Sequence, residues 1–198
     1  RTETTVHRGG EVLLQAEHLR WKDALGVTRL DDVSLTLRRG EIVGVAGVSG
    51  NGQSELLDAL SGLLAPQEGV LAVAGQRYEP RRWMSASAAR EHRIAHVPED
   101  RHKRALVLPF DAWESAVLGY QKRSRYNLAG WLRDDAMRED CTTMMQRFDV
   151  RPQNPNLRSS KFSGGNQQKL VLAREAAPEP AILVGGEPAR GVDIGAIE

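Results

Sequence analysis

The chain has 198 residues, a length that suits one compact domain with room for a small inserted subdomain and does not suit a string of modules. Lys plus Arg total 27 against 26 Asp plus Glu, so the formal charge is +1 and no whole-chain field attracts nucleic acid. Hydrophobic residues at 40% supply a core and exclude a disordered chain, and a single cysteine, Cys141, excludes an intrachain disulfide and a cysteine-based zinc site.

A reducing compartment is expected. The longest conspicuous apolar run, residues 42–48, is far too short to cross a bilayer, and the first residues offer no apolar signal-peptide region, so any membrane role is expected to be peripheral.

Apolar clusters at 12–19 and 33–37 predict two strands, the second alternating with period two and closed by the turn Arg39-Gly40. Residues 42–45 predict a continuous apolar strand with a glycine-rich segment behind it. Leu56, Leu57, Leu60, Leu63 and Leu64 then recur at helical spacing. Short strands are expected at 70–73 and 94–97 with a helix over 85–91 between them, and Pro98 stops regular structure. From about 105 to 161 the pattern is helical, with Asp111 as a cap and Glu114 at its third position. Met137, Cys141, Met144, Met145 and Phe148 share one helical face, which reads as core packing. A glycine turn, a helix to about Ala177, Pro178 and Pro180, and a buried strand at 181–184 complete the pattern.

Three segments carry chemistry. Gly47, Val48, Ser49, Gly50, Asn51, Gly52, Gln53 and Ser54 match the phosphate-cradling loop G-x-x-x-x-G-K-[ST] except that Gln53 replaces lysine. Placed between a strand and a helix, successive N–H groups and the positive helix end would converge on an anion, although an ordinary glycine-rich turn has the same composition. Ser163, Gly164, Gly165, Asn166 and Gln167 open another helix, either as a plain cap or as a second anion site. Glu187 follows the strand at 181–184, where a carboxylate could orient an attacking water or simply be solvated.

Other residues read as structural. Trp21 suits a partly buried position. His92 and His96 are four apart, but residues 94–97 read as strand, so they do not share a helix face for a metal. Arg101, His102, Lys103 and Arg104 form a basic run, which most often is solvated surface and could also touch phosphate or a partner.

Together these segments resemble the ATP-binding cassette ATPases of ABC transporters, over nearly the whole chain from Val12 onward. The resemblance implies an α/β fold: a P-loop NTPase core of mixed β-sheet with an antiparallel β subdomain, and an inserted α-helical subdomain. It places residues 1–104 and 162–198 in the nucleotide-binding core and 105–161 in the helical subdomain. Walker A corresponds to Gly47 through Ser54, with Glu55 next to it. The signature motif corresponds to Phe162-Ser163-Gly164-Gly165-Asn166-Gln167, Walker B to residues 182–187 and the D-loop to Gly191-Val192-Asp193. Val97-Pro98-Glu99-Asp100 falls where the Q-loop belongs, with Glu99 in place of glutamine.

The expected ligands are ATP and Mg2+. Residues 47–55, Glu99, Ser163 to Gln167 and Asp193 are expected to contact nucleotide, the Ser54 hydroxyl to meet the metal, and Glu187 to orient water. The segments Val97 to Lys103 and Ser163 to Lys169 look like the carboxy-terminal cassette of tandem-cassette sugar importers. Phe148-Asp149-Val150-Arg151 and residues 191–198 look closest to the simple-sugar or nucleoside branch.

Two departures bear on mechanism. Gln53 cannot supply an ammonium to the phosphates, a loss of about 1.5–3 kcal/mol or roughly ten- to a hundredfold in affinity. Gly186 stands where Walker B has its metal-holding aspartate. The implied arrangement is therefore an impaired site on this cassette and an intact signature that completes the site of a second cassette. Further implied partners are membrane permease subunits and, indirectly, a solute-binding protein, with the chain peripheral on the cytoplasmic face of the cell membrane. The alternative is a non-transport cassette ATPase acting on nucleic acid, which the charge balance disfavours; no nucleic acid is expected as a partner. The chain ends before the family's switch histidine, as a carboxy-terminally truncated fragment of a longer subunit would.

Overall fold

The computed structural model describes residues 10–48 and 50–187. It divides into two compact units, Arg1–Ala95 with Ala181–Val184 and His96–Pro180 with Gly185–Glu198.

In the first unit, β1 (Val12–Lys22) and β2 (Thr28–Arg38) precede α1 (Gln53–Leu60), β3 (Glu68–Val73), β4 (Gln76–Tyr78) and α2 (Ala86–Glu91). The strands form one sheet in the order β2-β1-β3-β4, antiparallel throughout. One face of β1 is sealed through Leu14, Ala16 and Leu19. The step from every second residue to a three-residue gap coincides with a register shift between Ala16 and Leu19, where His18 takes φ 55°. Leu71 and Val73 continue this face, and Leu56 and Leu60 of α1, Met84, Ile94, Ile182 and Val184 join the same apolar cluster. Ser85 caps α2 by accepting the N–H of Ala88.

The strand expected at 42–45 does not form. Among the described residues, 41–48 take part in no strand pairing, and Ile42 is 97% exposed. Apolar runs of this kind become strands only when a neighbour satisfies their backbone groups, so the composition predicts burial that the described chain does not supply.

β5 (Ile94–Val97) leads into the second unit, with α3 (Arg101–Arg104), α4 (Ala112–Ala116), β6 (Asn127–Leu128), β7 (Trp131–Leu132), α5 (Asp134–Arg147) and α6 (Gly164–Ala176). The final described strand, β8 (Ile182–Gly185), pairs with β5. Glu114 reaches back from α4 to accept the N–H of Asp111, the reciprocal half of the expected cap. Along α5, Met137, Cys141 and Met145 are buried, and Met144 and Phe148 partly so. Cys141 and Met145 pack with Val97, Leu106, Ala116, Val150, Phe162 and Leu170, while Met137 joins Val117, Tyr120 and Tyr126. The methionine stripe is core.

Burial pushes the Cys141 thiol from 9.0 up to about 12, which leaves almost no thiolate at neutral pH. The native chain should resist Ellman's reagent at pH 8 and titrate as one thiol once denaturant is added. Rapid reaction of the folded protein would contradict this packing.

Candidate functional site

The glycine-rich loop lies in the first unit and is braced from β2. Gly50 and Gly52 take φ values of 88° and 93°, a region open to glycine at little cost. A β-carbon at Gly52 would strike the carbonyl of Arg29. The Arg29 guanidinium donates to the Gly50 carbonyl at 2.8 Å and is gripped by Asp23, Nε and Nη2 each 3.0 Å from Oδ2. The Asp23 carboxylate also accepts the N–H groups of Val27 and Leu25, and these bonds together with Arg29 hold its pKa below the ordinary carboxylate value. Arg29 and Asp23 have no sequence motif around them. Only the hairpin between β1 and β2 sets them beside the loop.

No side chain caps α1, whose N-cap is Gly52, so the positive end of the helix remains available to an anion. Gln53 partly fills that space. Its amide donates to the Val48 carbonyl at 3.1 Å and lies so close to Gly47 that a β-carbon there would collide with it. Asn51 N–H also donates to the Val48 carbonyl, at 3.2 Å, tightening the turn. Ser54 is exposed, and Glu55 places a carboxylate in the first turn. Ser49 lies outside the described residues.

In the second unit Ser163 caps α6 as expected, accepting Asn166 N–H at 3.4 Å and the Asn166 side-chain amide at 3.0 Å. The Asn166 side-chain Oδ1 accepts Arg151 N–H at 2.7 Å. Lys169 donates to the Asp149 carbonyl and carboxylate, so Phe148-Asp149-Val150-Arg151 is a turn clamped onto the start of α6. Gln167 is buried; its amide donates to the Ser159 carbonyl at 3.0 Å, leaving its oxygen to accept His102 Nε2–H at 2.7 Å. Gly164 stays exposed and Gly165 is half-buried. The basic run is therefore not wholly solvated: His102 ties the segment behind Glu99 to the signature segment. Its motif gave no sign of this pairing, which spans 65 residues of sequence.

Glu99 and Glu187 are both exposed in this unit, Glu187 with φ 46°. Gly186 N–H donates to the Val97 carbonyl at 2.9 Å, which sets the start of the Glu99 segment beside the end of β8. Asp193 and the rest of residues 188–198 lie outside the described residues. Among the described residues no three His, Cys, Asp or Glu side chains form a metal-holding group.

A buried ion pair anchors α6. Arg174 and Glu175 are 4% and 1% exposed, with Arg174 Nε 2.8 Å from Glu175 Oε1. Arg174 Nη1 donates to the carbonyls of Ala105 and Ser115. Tyr120 Oη and His96 N–H donate to Glu175 Oε2. Each charge thereby keeps several partners away from water.

The ABC transporter family profile matches residues 30–190. The guanosine import ATP-binding protein NupO of Bacillus subtilis is 35% identical over 198 residues, covering 100% of this chain and 38% of NupO. The nucleoside import ATP-binding protein NupA of Lactococcus lactis is 36% identical, covering 100% of this chain and 38% of NupA. The xylose import ATP-binding protein XylG of Burkholderia cenocepacia is 38% identical over 192 residues, covering 96% of this chain and 36% of XylG. The chain thus spans less than two-fifths of the length of these relatives. A dimeric ATP-binding cassette, MJ0796, in a post-hydrolysis state bound to ADP and Pi superposes with a TM-score of 0.76 at 21% identity, covering 93% of this chain and 78% of that one, and shows the shared fold.

Replacing Arg174 with Met strands the Glu175 charge in the core and should lower stability by about 3–5 kcal/mol in denaturant titrations, with part recovered when Glu175→Leu is added. Replacing His102 with Ala should accelerate amide exchange at Gln167 while leaving exchange in the first unit's sheet unchanged; equal exchange at Gln167 in both proteins would deny His102 its bracing role.

Proposed function

Because the chain belongs to the ABC transporter family of ATP-binding cassettes, we propose that it is the nucleotide-binding module of an importer for nucleosides or simple sugars. Its relatives NupO and NupA, named for guanosine and nucleoside import, support the nucleoside side of that reading. The observation that carries it is the pair of helix starts, one glycine-rich and uncapped at α1, the other capped and braced at α6. Exposed amides at a helix N-terminus recognise phosphate.

The two helix starts have unequal roles. At α1, Gln53 offers no ammonium and bonds to the loop's own Val48 carbonyl, so an incoming phosphate must displace it. Nucleotide binding on this loop is weakened, and turnover suffers more, by about 10² to 10³, because the charge developing on the transferring phosphoryl group loses a donor. The Ser54 hydroxyl would be the group to hold a magnesium ion, which would supply charge neutralisation there when bound. Glu187 orients water. Glu99 and Asp193 contact nucleotide, or the water beside it, from their own segments.

At α6 the Ser163 to Gln167 segment completes the nucleotide site of a second cassette, on the same chain or another. The Asn166 and Gln167 side chains are already spent on Arg151, Ser163, Ser159 and His102, so they fix the loop and leave its glycine amides as recognition groups. Residues 1–104 and 162–198 form the nucleotide-binding core and 105–161 the helical subdomain. That subdomain meets membrane permease subunits, which receive solute from a binding protein, and the module works peripherally on the cytoplasmic face of the membrane.

ATP turnover of the complete subunit tests the division of roles. Ser163→Arg should reduce it by at least about a hundredfold, while Gln53→Ala should change it by less than about threefold. The opposite pattern would reverse the assignment. Gln53→Lys should tighten nucleotide binding on this loop by roughly ten- to a hundredfold in a filter-binding assay.

A further inference from the structure

The second unit carries a small hairpin that the nucleotide reading leaves unused. β6 and β7 pair Asn127 with Leu132 and Leu128 with Trp131, and the two residues between, Ala129 and Gly130, have φ 51° and 95° as a tight two-residue turn requires. The turn is held by Gly130 N–H donating to Asn127 Oδ1, and the base by Arg133 N–H donating to the Tyr126 carbonyl. Its apolar side chains point outward: Leu128 is 68% exposed, Trp131 81% and Leu132 55%. A two-strand hairpin stands on so little pairing that displaying Leu128 and Trp131 beside its turn and Leu132 at its base needs a compensating contact.

The base of the hairpin borders a cavity of about 260 Å3 whose walls include Tyr120, Arg123, Tyr126, Asp140, Met144 and Arg147. Most of its charge is already committed. Asp140 accepts two bonds from Arg125 at 2.6 Å and one from Tyr126 Oη at 2.9 Å, and Arg125 holds its carboxyl below the ordinary range. Arg174, also on the wall, is bound to Glu175. Arg123 and Arg147 form no salt bridge among the described residues; they lie over the rings of Tyr120 and Phe148, at 4.6 and 5.6 Å. Lys122 and Arg133, both exposed, flank the same hairpin.

We propose that this hairpin and the cavity at its base dock on the surface of an anionic phospholipid bilayer, with Leu128, Trp131 and Leu132 entering the headgroup boundary and the Arg123 and Arg147 guanidiniums meeting lipid phosphates. The chemistry selects this occupant. Guanidinium pairs with phosphate through parallel N–H bonds, and tryptophan settles where one side is apolar and the other wet. The three apolar side chains are largely exposed on a two-residue turn hairpin, a display that suits shallow entry into a bilayer boundary. Lys122, Arg123 and Arg133 add attraction to a negative surface, which the exposed Asp134 and Asp135 after the hairpin partly offset. Vesicles without nucleotide probe this contact independently of ATP binding.

The full chain should co-sediment with phosphatidylcholine vesicles containing phosphatidylglycerol, more weakly at high salt, and little with phosphatidylcholine alone. Leu128→Ser with Trp131→Ser should weaken that binding by about tenfold or more, and Arg123→Gln with Arg147→Gln should remove most of the preference for phosphatidylglycerol. Brominated lipid should quench the native chain's fluorescence but not that of Trp131→Phe, and unchanged melting temperatures would show that the hairpin variants still fold. Sedimentation that ignores phosphatidylglycerol, or a hairpin variant that binds like the native chain, overturns the proposal. So does a hairpin variant that loses permease co-purification while its vesicle binding stays intact, because the tip then serves a protein contact.

Discussion

A guanidinium and a carboxylate sealed from water next to each other on one helix are the most demanding feature of the second unit. Arg174 and Glu175 tolerate burial only while Ala105, Ser115, Tyr120 and His96 surround them with bonds. Removing any charged partner leaves the other uncompensated. The pair therefore fixes where α6 lies against the end of β5, against α4 and against the turn that follows it. Because Ser163 to Gln167 open α6, the same pair sets the axis along which the amides of that segment point.

From that anchor the signature segment is held at two further points. His102 comes from the stretch behind Glu99 and reaches Gln167, and Arg151 comes from the turn after α5 and reaches Asn166. The Asn166 and Gln167 side chains are consumed internally, which leaves the backbone amides and the Ser163 hydroxyl at the start of α6. Backbone donors cost no rotamer entropy when a ligand binds, which would suit the proposed role of this segment in completing a second cassette's site. The loop at α1 shows the contrasting condition. Arg29 stiffens it from outside, while Gln53 bonds to it from inside. A loop satisfied by its own side chain has less to gain from phosphate than one presenting a free ammonium.

The hairpin at Asn127–Leu132 and the nucleotide segments divide the chain's surface chemistry. The hairpin is apolar and bordered by cations, as the proposed lipid contact requires, and the helix starts are amide-rich, as the proposed nucleotide contact requires. Both use the same physical preference, that of oriented N–H donors for phosphate oxygens, in different dielectric surroundings.

The sequence by itself determined whatever depends on neighbours a few residues away. Ser85 and Ser163 are caps, Glu114 bonds back to Asp111, the α5 methionines share one face, and the glycines at 50 and 52 adopt left-handed backbone, because spacing and residue type decide each of these locally. The motif pattern likewise carried the family. Residues 42–45 mark the limit of such reading: an apolar run states that burial would be favourable, but only a paired neighbour makes it a strand. Arg29 beside the loop, His102 on Gln167, Arg151 on Asn166 and the enclosure of Arg174 with Glu175 were decided by tertiary structure alone, since each joins groups far apart in the chain whose meeting depends on how sheet and helices pack.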